Sequence, residues 1–154
     1  MKGLLRFLAT FGPIGYAPFA PATAGSAVVA LIGWFIPAPG LSEALALLCV
    51  GTLAAMWIAG EAEKELGHDA KPIIVDEAVG QCIALLLVPH TIVAFAVAFV
   101  LFRLFDIWKP LGAKQAQRLE GGTGVVADDV IAGLTACGVF HLGFWGARSL
   151  GWIH

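Results

Sequence analysis

Residues 91–110, "TIVAFAVAFVLFRLFDIWKP", decide the fold class of this chain. The run from 91 to 102 is almost entirely apolar, and it ends in Arg103, Asp106 and Lys109, each three residues after the last. Such an apolar run is typical of a helix in a membrane, and residues three apart lie on the same face of a helix. The stretch therefore predicts a membrane helix whose end carries charges of both signs on one face.

The composition of the whole chain agrees with a membrane protein. Of the 154 residues, 59% are hydrophobic and only 13% are charged, and the mean hydropathy is +0.87. A soluble domain is about one quarter charged, so this chain has too little charge to cover a surface in water. We expect a single integral membrane domain over residues 1–154. The net charge of −2 gives no sign of a nucleic-acid partner, and membrane lipids are the expected surroundings.

The hydropathy pattern predicts an all-α bundle of about five membrane helices with short interfacial helices. We expect an amphipathic interfacial segment near the N-terminus and a short helix within residues 111–124. The third membrane helix is too short to span comfortably, so a re-entrant hairpin at "VPHT" is an alternative. The five predicted membrane helices are residues 26–36, 41–60, 75–88, 91–108 and 126–150.

The basic residues predict how this bundle is oriented. If the N-terminus is cytoplasmic and five helices alternate, only Arg148 lies on the outer side. Such an asymmetry is what the positive-inside rule predicts, and it also gathers the polar clusters at the cytoplasmic interface. The basic residues on the cytoplasmic side are then Lys2, Arg6, Lys64, Lys71, Arg103, Lys109, Lys114 and Arg118.

Four polar clusters meet at that interface, and they carry five carboxylates beside apolar sequence. The clusters are "APATAGS" (20–26), "VDEAVGQ" (75–81), "FRLFDIWKP" (102–110) and "EGGTGVVADD" (120–129). Grouping so many negative charges is costly unless a cation neutralises them, and a site made only of oxygen ligands favours a hard cation such as Mg²⁺. We expect a magnesium site made by Asp76, Glu77, Asp106, Asp128 and Asp129.

Each cluster also has a simpler interpretation. Asp128 and Asp129 could complement the dipole at a helix N-terminus, although that leaves the other carboxylates unexplained. Arg103 and Lys109 could extend towards the membrane surface, but Asp106 on the same face favours a site lined by both signs. Gln81 shares a helix face with Glu77 or packs in the groove of a neighbouring helix.

Glycines and hydroxyl groups add candidate contacts for an anion. Gly121 and Gly122 precede a predicted helix, where backbone N–H groups can bind phosphate, although a plain helix connection is an alternative. Thr23 and Ser26 offer hydroxyl groups at the start of the first helix. The cysteines, Cys49, Cys82 and Cys137, lie in apolar runs and are expected to be reduced core residues.

The chain lacks the sequence motifs of covalent phosphatases. It has neither a C-x₅-R loop nor a D-x-D-x-T motif, and its histidines are poorly placed for catalysis. The remaining chemistry is metal-assisted attack on a phosphate ester, with basic residues holding the phosphate oxygens. A small ion transporter that uses the same carboxylates is the non-enzymatic alternative.

The stretches "APATAGS", "IIVDEAVGQ", "FRLFDIWKP" and "GGTGVVADDVIAG" together resemble the phosphatidylglycerophosphatase A family, bacterial membrane enzymes of phospholipid synthesis. They occur in the family's order between about residues 18 and 133. The resemblance implies Mg²⁺-dependent hydrolysis of the terminal phosphate monoester of phosphatidylglycerophosphate, giving phosphatidylglycerol and phosphate. It also implies an inner-membrane protein whose active site faces the cytoplasm. A phosphatase of another phosphorylated lipid is the alternative.

Carried onto this sequence, the resemblance assigns roles to the clustered residues. Ala22 stands where the family pattern predicts glycine, and we expect strain there if the position needs a positive φ. The implied metal-site carboxylates are the five named above, and the implied catalytic residues are Asp76, Glu77, Asp106, Asp129 and Lys109. The implied phosphate or headgroup contacts are Thr23, Ser26, Arg103, Lys109, Gly121 and Gly122.

Overall fold

The computed structural model describes residues 2–68, 70–109, 113–116, 119 and 121–152. Within these residues the regular structure is entirely helical, so the predicted all-α class is confirmed. A single 3₁₀ turn lies at Ile14–Tyr16. The α-helices are α1 (Lys2–Ala9), α2 (Pro21–Phe35), α3 (Leu41–Leu66), α4 (Val75–Ala84), α5 (Ile92–Trp108), α6 (Ala113–Ala116) and α7 (Gly122–Ser149).

Helices α2 and α7 begin earlier than the sequence predicts. Helix α2 begins at Pro21, so "PATAGS" forms its first turns. Proline is favourable at the first position of a helix because the N–H that it lacks has no helical partner there. Helix α7 begins at Gly122 after Gly121, whose φ is +65°. The predicted starts of both helices are too late because the prediction assigned the proline and the glycines to loops.

The polar stretch after residue 60 continues helix α3. Residues 61–66 are helical up to Leu66, and the Lys64 ammonium forms an ion pair with the Glu61 carboxylate one turn earlier. Gly67, with a φ of +96°, ends the helix. The predicted short helix within 111–124 is seen at Ala113–Ala116, whereas Arg118 and residues 110–112, 117 and 120 lie outside the described residues.

Helix α4 is the short central helix of the bundle. It ends at Ala84 instead of residue 88, and its 10 residues extend only about 15 Å, half of the hydrocarbon thickness. It nevertheless packs against α2, α3, α5 and α7. A turn follows, and α5 then begins at Ile92, with Thr91 Oγ1 accepting a hydrogen bond from the Ala94 amide (3.2 Å).

Glycines allow α7 to cross two other helices at very short distance. A Cβ atom added at Gly133 would lie 2.5 Å from the carbonyl oxygen of Gly80 in α4. A Cβ atom added at Gly122 would overlap the carbonyl oxygen of Met56 in α3. Small residues permit such close backbone contact between membrane helices. The crossing at Gly80 and Gly133 brings the polar start of α4 next to the polar start of α7.

Two of the described helices are long and apolar enough to cross a membrane. They are α3, with 26 residues, and α7, with 28. Only 11% of the apolar window of α3 is buried inside the molecule, so its hydrophobic surface faces outwards, unlike that of a soluble core helix. Helices α2 and α5 are apolar but shorter, and a bundle of five spanning helices remains a prediction.

The cysteines differ from expectation in their burial. All three are free thiols, but Cys49 and Cys82 are exposed and Cys137 is only partly buried. The prediction that they are core residues was therefore wrong for Cys49 and Cys82. Cys49 lies on the apolar outer surface of α3, and Cys82 lines an apolar groove beside α4.

Candidate active site

Three carboxylates from two helices meet where α4 begins. Asp76 and Glu77 lie in the first turn of α4, and Asp129 lies in the second turn of α7. One carboxylate oxygen from each residue lies within 4.8 Å of the other two. Asp76 and Asp129 are buried, with 7% and 3% of their surface exposed. The close contact between Gly80 and Gly133 makes this convergence possible.

These three carboxylates form no ion pair with a basic residue in the described part of the chain. Asp76 Oδ1, Glu77 Oε2 and Asp129 Oδ2 are buried and form no hydrogen bond with any described residue. Three buried oxygen ligands with free lone pairs fit a hard divalent cation such as Mg²⁺. Such a cation would supply the positive charge that the cluster lacks.

Asp106 lies beside this group but has its own basic partner. Arg103 and Asp106 are one turn apart at the end of α5, and Arg103 Nη1 lies 3.0 Å from Asp106 Oδ2. The charge of Asp106 also acts on Glu77 and Asp129. Asp106 is therefore at the edge of the three-carboxylate group, and the guanidinium of Arg103 neutralises it.

Arg103 also joins α5 to α2. Its Nη1 donates a hydrogen bond to Ser26 Oγ (3.3 Å), and Ser26 donates in turn to the Ala22 carbonyl oxygen (2.9 Å). Ser26 is fully buried, whereas Thr23, one turn earlier, is half-buried. The Nε of Arg103 has no hydrogen-bond partner among the described residues. Arg103 thus retains donor capacity for an anion beside the carboxylates.

Lys109 and Asp128 form a second ion pair across α5 and α7. Lys109 ends α5 in the left-handed conformation, with a φ of 49°, an uncommon one for a residue with a side chain. Burial alone lowers the pKa of Lys109, but the hydrogen bond and charge of Asp128, together with other nearby carboxylates, raise it above its ordinary value. Lys109 therefore stays positively charged next to the site.

The five predicted metal-site carboxylates therefore divide into two sets. Asp76, Glu77 and Asp129 converge, whereas Asp106 and Asp128 are each paired with a basic residue. Adjacent residues of a helix point about 100° apart, so Asp128 and Asp129 face different neighbours. The uncompensated negative charge predicted for all five carboxylates is therefore found only at Asp76, Glu77 and Asp129.

The helix-dipole interpretation of Asp128 and Asp129 does not fit the structure. Because α7 begins at Gly122, both residues lie beyond its first turn. The stabilisation of a carboxylate by the helix dipole is lost within about one turn. The predicted start at residue 126 would have placed both residues in the first turn of the helix, and this is why the alternative was considered.

Comparisons with known proteins show the family of this chain. Residues 7–144 match the sequence profile of the family Phosphatidylglycerophosphatase A. A protein named Phosphatidylglycerophosphatase A from Escherichia coli K12 is 32% identical over 135 residues, which cover 82% of this chain and 76% of the relative. The protein of the same name from Haemophilus influenzae is 32% identical over 131 residues, which cover 82% of this chain and 80% of the relative.

The chain belongs to the phosphatidylglycerophosphatase A family. It is therefore a phosphatase, and the alternative of an ion transporter is set aside. A relative from Bacteroides thetaiotaomicron, whose name gives phosphatidylinositol-3-phosphatase as a provisional activity, is 40% identical over 131 residues, 78% of this chain and 80% of the relative. No solved structure shows significant similarity to this fold.

Two glycines at the start of α7 in this phosphatase, Gly121 before the helix and Gly122 as its first residue, differ in their surroundings. Gly122 is buried against Met56 and Gly60 of α3, where a side chain would not fit. Gly121 is exposed, and its φ of +65° suits glycine, with open space around it. Packing against α3 accounts for Gly122, which neither the phosphate-binding interpretation nor the plain helix connection predicted, and Gly121 is the glycine that faces open space.

Ala22 is not strained in this member of the phosphatidylglycerophosphatase A family. It is the second residue of α2 and takes a helical conformation, which suits alanine better than glycine. The left-handed residue of this segment is Ala20, with a φ of 45°. The expectation of strain at Ala22 rested on treating residues 20–25 as a loop, and the early start of α2 removes it.

Sequence reasoning missed the residues that bring the carboxylates together. Gly80 and Gly133 were not singled out, although each is a glycine within a predicted helix. A glycine at such a position can mark a close helix crossing, and that is the signal that could have found them. Gln81 is fully buried, which agrees with the alternative that it packs against a neighbouring helix.

A cavity of the described structure lies away from the carboxylates. It is an apolar groove of about 520 Å³ between α2 and α3, with the opposite face of α4 as its floor. None of the described carboxylates lines it, whereas Val75, Ala78 and Val79 do. The carboxylates of the candidate site lie instead on the other side of α4.

Proposed function

We propose that this chain is a Mg²⁺-dependent phosphatase that hydrolyses the terminal phosphate monoester of phosphatidylglycerophosphate. The products are phosphatidylglycerol and inorganic phosphate. The observation that carries the proposal is the group of Asp76, Glu77 and Asp129, two buried carboxylates and a partly buried one with oxygens within 4.8 Å of one another, beside two ion-paired basic residues. Membership of the phosphatidylglycerophosphatase A family supports the choice of substrate.

In this proposal the three carboxylates hold the cation. The ion, when bound, polarises a phosphoryl oxygen and neutralises charge that develops in the transition state. The oxygen of the attacking water forms a bond to phosphorus, and the bond between phosphorus and the oxygen of the headgroup glycerol breaks. The glycerol oxygen leaves with a proton and becomes the hydroxyl of phosphatidylglycerol.

The basic residues of the chain orient the phosphate. Arg103 is held by Asp106 and Ser26, so its guanidinium is positioned before the substrate arrives. Fixed donors of this kind stabilise developing negative charge without reorganisation. Lys109, held by Asp128, supplies a second positive charge from the same end of α5. Thr23, one turn from Ser26, and Gly121 at the start of α7 are further candidate contacts with the headgroup.

We further propose that the protein lies in the bacterial cytoplasmic membrane with this site facing the cytoplasm. The outward-facing apolar surface of α3 and the length of α7 support insertion into a membrane. Eight of the nine basic residues of the predicted topology lie on the side of the site, as the positive-inside rule requires. The site would then lie at the depth of the lipid headgroups, so the substrate need not leave the membrane.

A second candidate substrate is a phosphorylated inositol lipid. The relative at 40% identity, whose name refers to phosphatidylinositol 3-phosphate, favours it. Both lipids present a phosphate monoester at the membrane surface, and the carboxylates and basic residues described above would bind that group in either case. The two substrates differ in the headgroup between the monoester and the membrane.

The test is phosphate release by the purified protein from a panel of lipids in mixed micelles. Phosphatidylglycerophosphate, phosphatidylinositol 3-phosphate and phosphatidic acid are compared after treatment with EDTA and after addition of Mg²⁺. We expect activity on phosphatidylglycerophosphate to vanish with EDTA and to return with Mg²⁺. Full activity in a metal-free preparation would contradict the cation site, and preference for the inositol lipid would contradict the proposed substrate.

A further inference from the structure

Gln81 is a fully buried polar side chain in the middle of helix α4. None of its surface is exposed, and it is among the largest fully buried side chains of the molecule. Its amide atoms Nε2 and Oε1 form no hydrogen bond with any residue that the structure describes. A buried amide without partners destabilises a fold, and a methionine of similar size would fill the same space without this cost. An unsatisfied group of this kind points to a role outside the folding of the chain.

The nearest candidate partner along the helix is Glu77. Residues four apart lie on the same helix face, with Cβ atoms about 5–6 Å apart, so the amide of Gln81 and the carboxylate of Glu77 are neighbours. Glu77 Oε2 is also buried and has no hydrogen-bond partner in the described ranges. Both side chains are long enough to close this distance by rotation about their side-chain bonds. An unused donor thus lies one turn from an unused acceptor.

We propose that Gln81 is a positioning residue for the cation site. Its Nε2–H donates to the Glu77 carboxylate when that carboxylate holds the cation, and it keeps the other carboxylate oxygen turned towards Asp76 and Asp129. Hydrogen bonds to the ligands of a metal ion commonly fix their orientation, and losing one typically weakens metal binding about 10- to 100-fold. The inference rests on the cation site of the proposed function.

The test is cation affinity measured without substrate, so that it does not depend on turnover. The purified full-length protein in detergent is titrated with Mg²⁺ by calorimetry and with Mn²⁺ by electron paramagnetic resonance. Gln81→Met removes the amide and keeps the length of the side chain. We expect its cation affinity to fall about 10-fold, while the melting temperature without metal stays equal or rises because an unpaired amide has been removed. Gln81→Asn, which keeps an amide of shorter reach, should also bind the cation more weakly.

Ile83→Met is the matched control. It introduces the same side chain at a position of α4 that is 5% exposed and apolar, and it should leave cation affinity unchanged. Wild-type affinity in both Gln81 variants would overturn the inference. If Asp129→Asn abolishes cation binding while Gln81→Met binds the cation with wild-type affinity, the inference fails and the cation site stands. If the active wild-type protein binds neither ion, the proposed function fails and the inference fails with it.

Discussion

Replacing Asp129 by asparagine tests the cation site most directly, because the adjacent Asp128 provides a matched control. Asp129→Asn keeps the size of the side chain but removes one of three negative charges whose oxygens lie within 4.8 Å of one another. Metal-assisted stabilisation of the transition state is worth several kcal/mol, and each 1.36 kcal/mol, roughly, is tenfold in rate. A loss of about 4 kcal/mol therefore lowers kcat about a thousandfold.

The same substitution should stabilise the protein in the absence of metal. It removes repulsion between buried carboxylates, so the melting temperature in EDTA should rise while activity is lost. Asp128→Asn should have the opposite effect: the melting temperature should fall while Mg²⁺ binding is retained. It leaves Lys109 without its ion-pair partner, and the Lys109 side chain is 26% exposed. The loss of folding free energy should lie between the values for exposed and for buried ion pairs, about 2 kcal/mol. The cation affinity of this variant should stay near that of the wild type.

The assay combines three measurements on both variants: phosphate release as a function of substrate concentration, Mg²⁺ affinity, and thermal unfolding in detergent with and without Mg²⁺. Normal turnover of folded Asp129→Asn would refute the cation site. If Asp128→Asn loses as much kcat and as much Mg²⁺ affinity as Asp129→Asn does, the division of the carboxylates into a cation-binding set and an ion-paired set is refuted.

Three further predictions address the helix crossing, the phosphate contact and the membrane topology. Gly80→Ala places a Cβ atom 2.8 Å from the Asp129 carbonyl oxygen, so it should separate α4 from α7 and weaken Mg²⁺ binding at least 10-fold. Gly138→Ala, in open space on α7, is the control and should leave Mg²⁺ binding unchanged. Lys109→Met keeps the aliphatic chain and should raise KM with little change in Mg²⁺ affinity; an unchanged KM and kcat would show that Lys109 does not contact the phosphate. Lys64→Cys in a cysteine-free background should resist an impermeant thiol reagent in intact cells and react after lysis, and labelling in intact cells would reverse the proposed orientation.

The amino-acid sequence by itself determined the fold class and the family. Long apolar runs and a charged fraction of 13% predict a helical membrane protein, and the structure confirms the all-α class for the described residues. The boundaries of α5 were predicted almost correctly, because a continuous apolar run between Thr91 and a charged end leaves little choice. Prediction was poorer where Pro21 and Gly121 precede or begin helices, because these residues signal loops and helix starts alike. The polar clusters were recognisable because buried carboxylates are rare in apolar sequence.

Only the tertiary structure decided which carboxylates share a site. Asp76 and Glu77 are far from Asp129 in the chain, and they meet because α4 and α7 cross where Gly80 and Gly133 permit backbone contact. The rotation of α7 about its axis then turns Asp129 towards that group and Asp128 towards Lys109. Local sequence patterns specify helices and their apolar faces, whereas the angle and closeness of a crossing depend on packing between residues distant in the chain. The division of the acidic residues into a three-carboxylate group and two ion pairs therefore follows from helix packing.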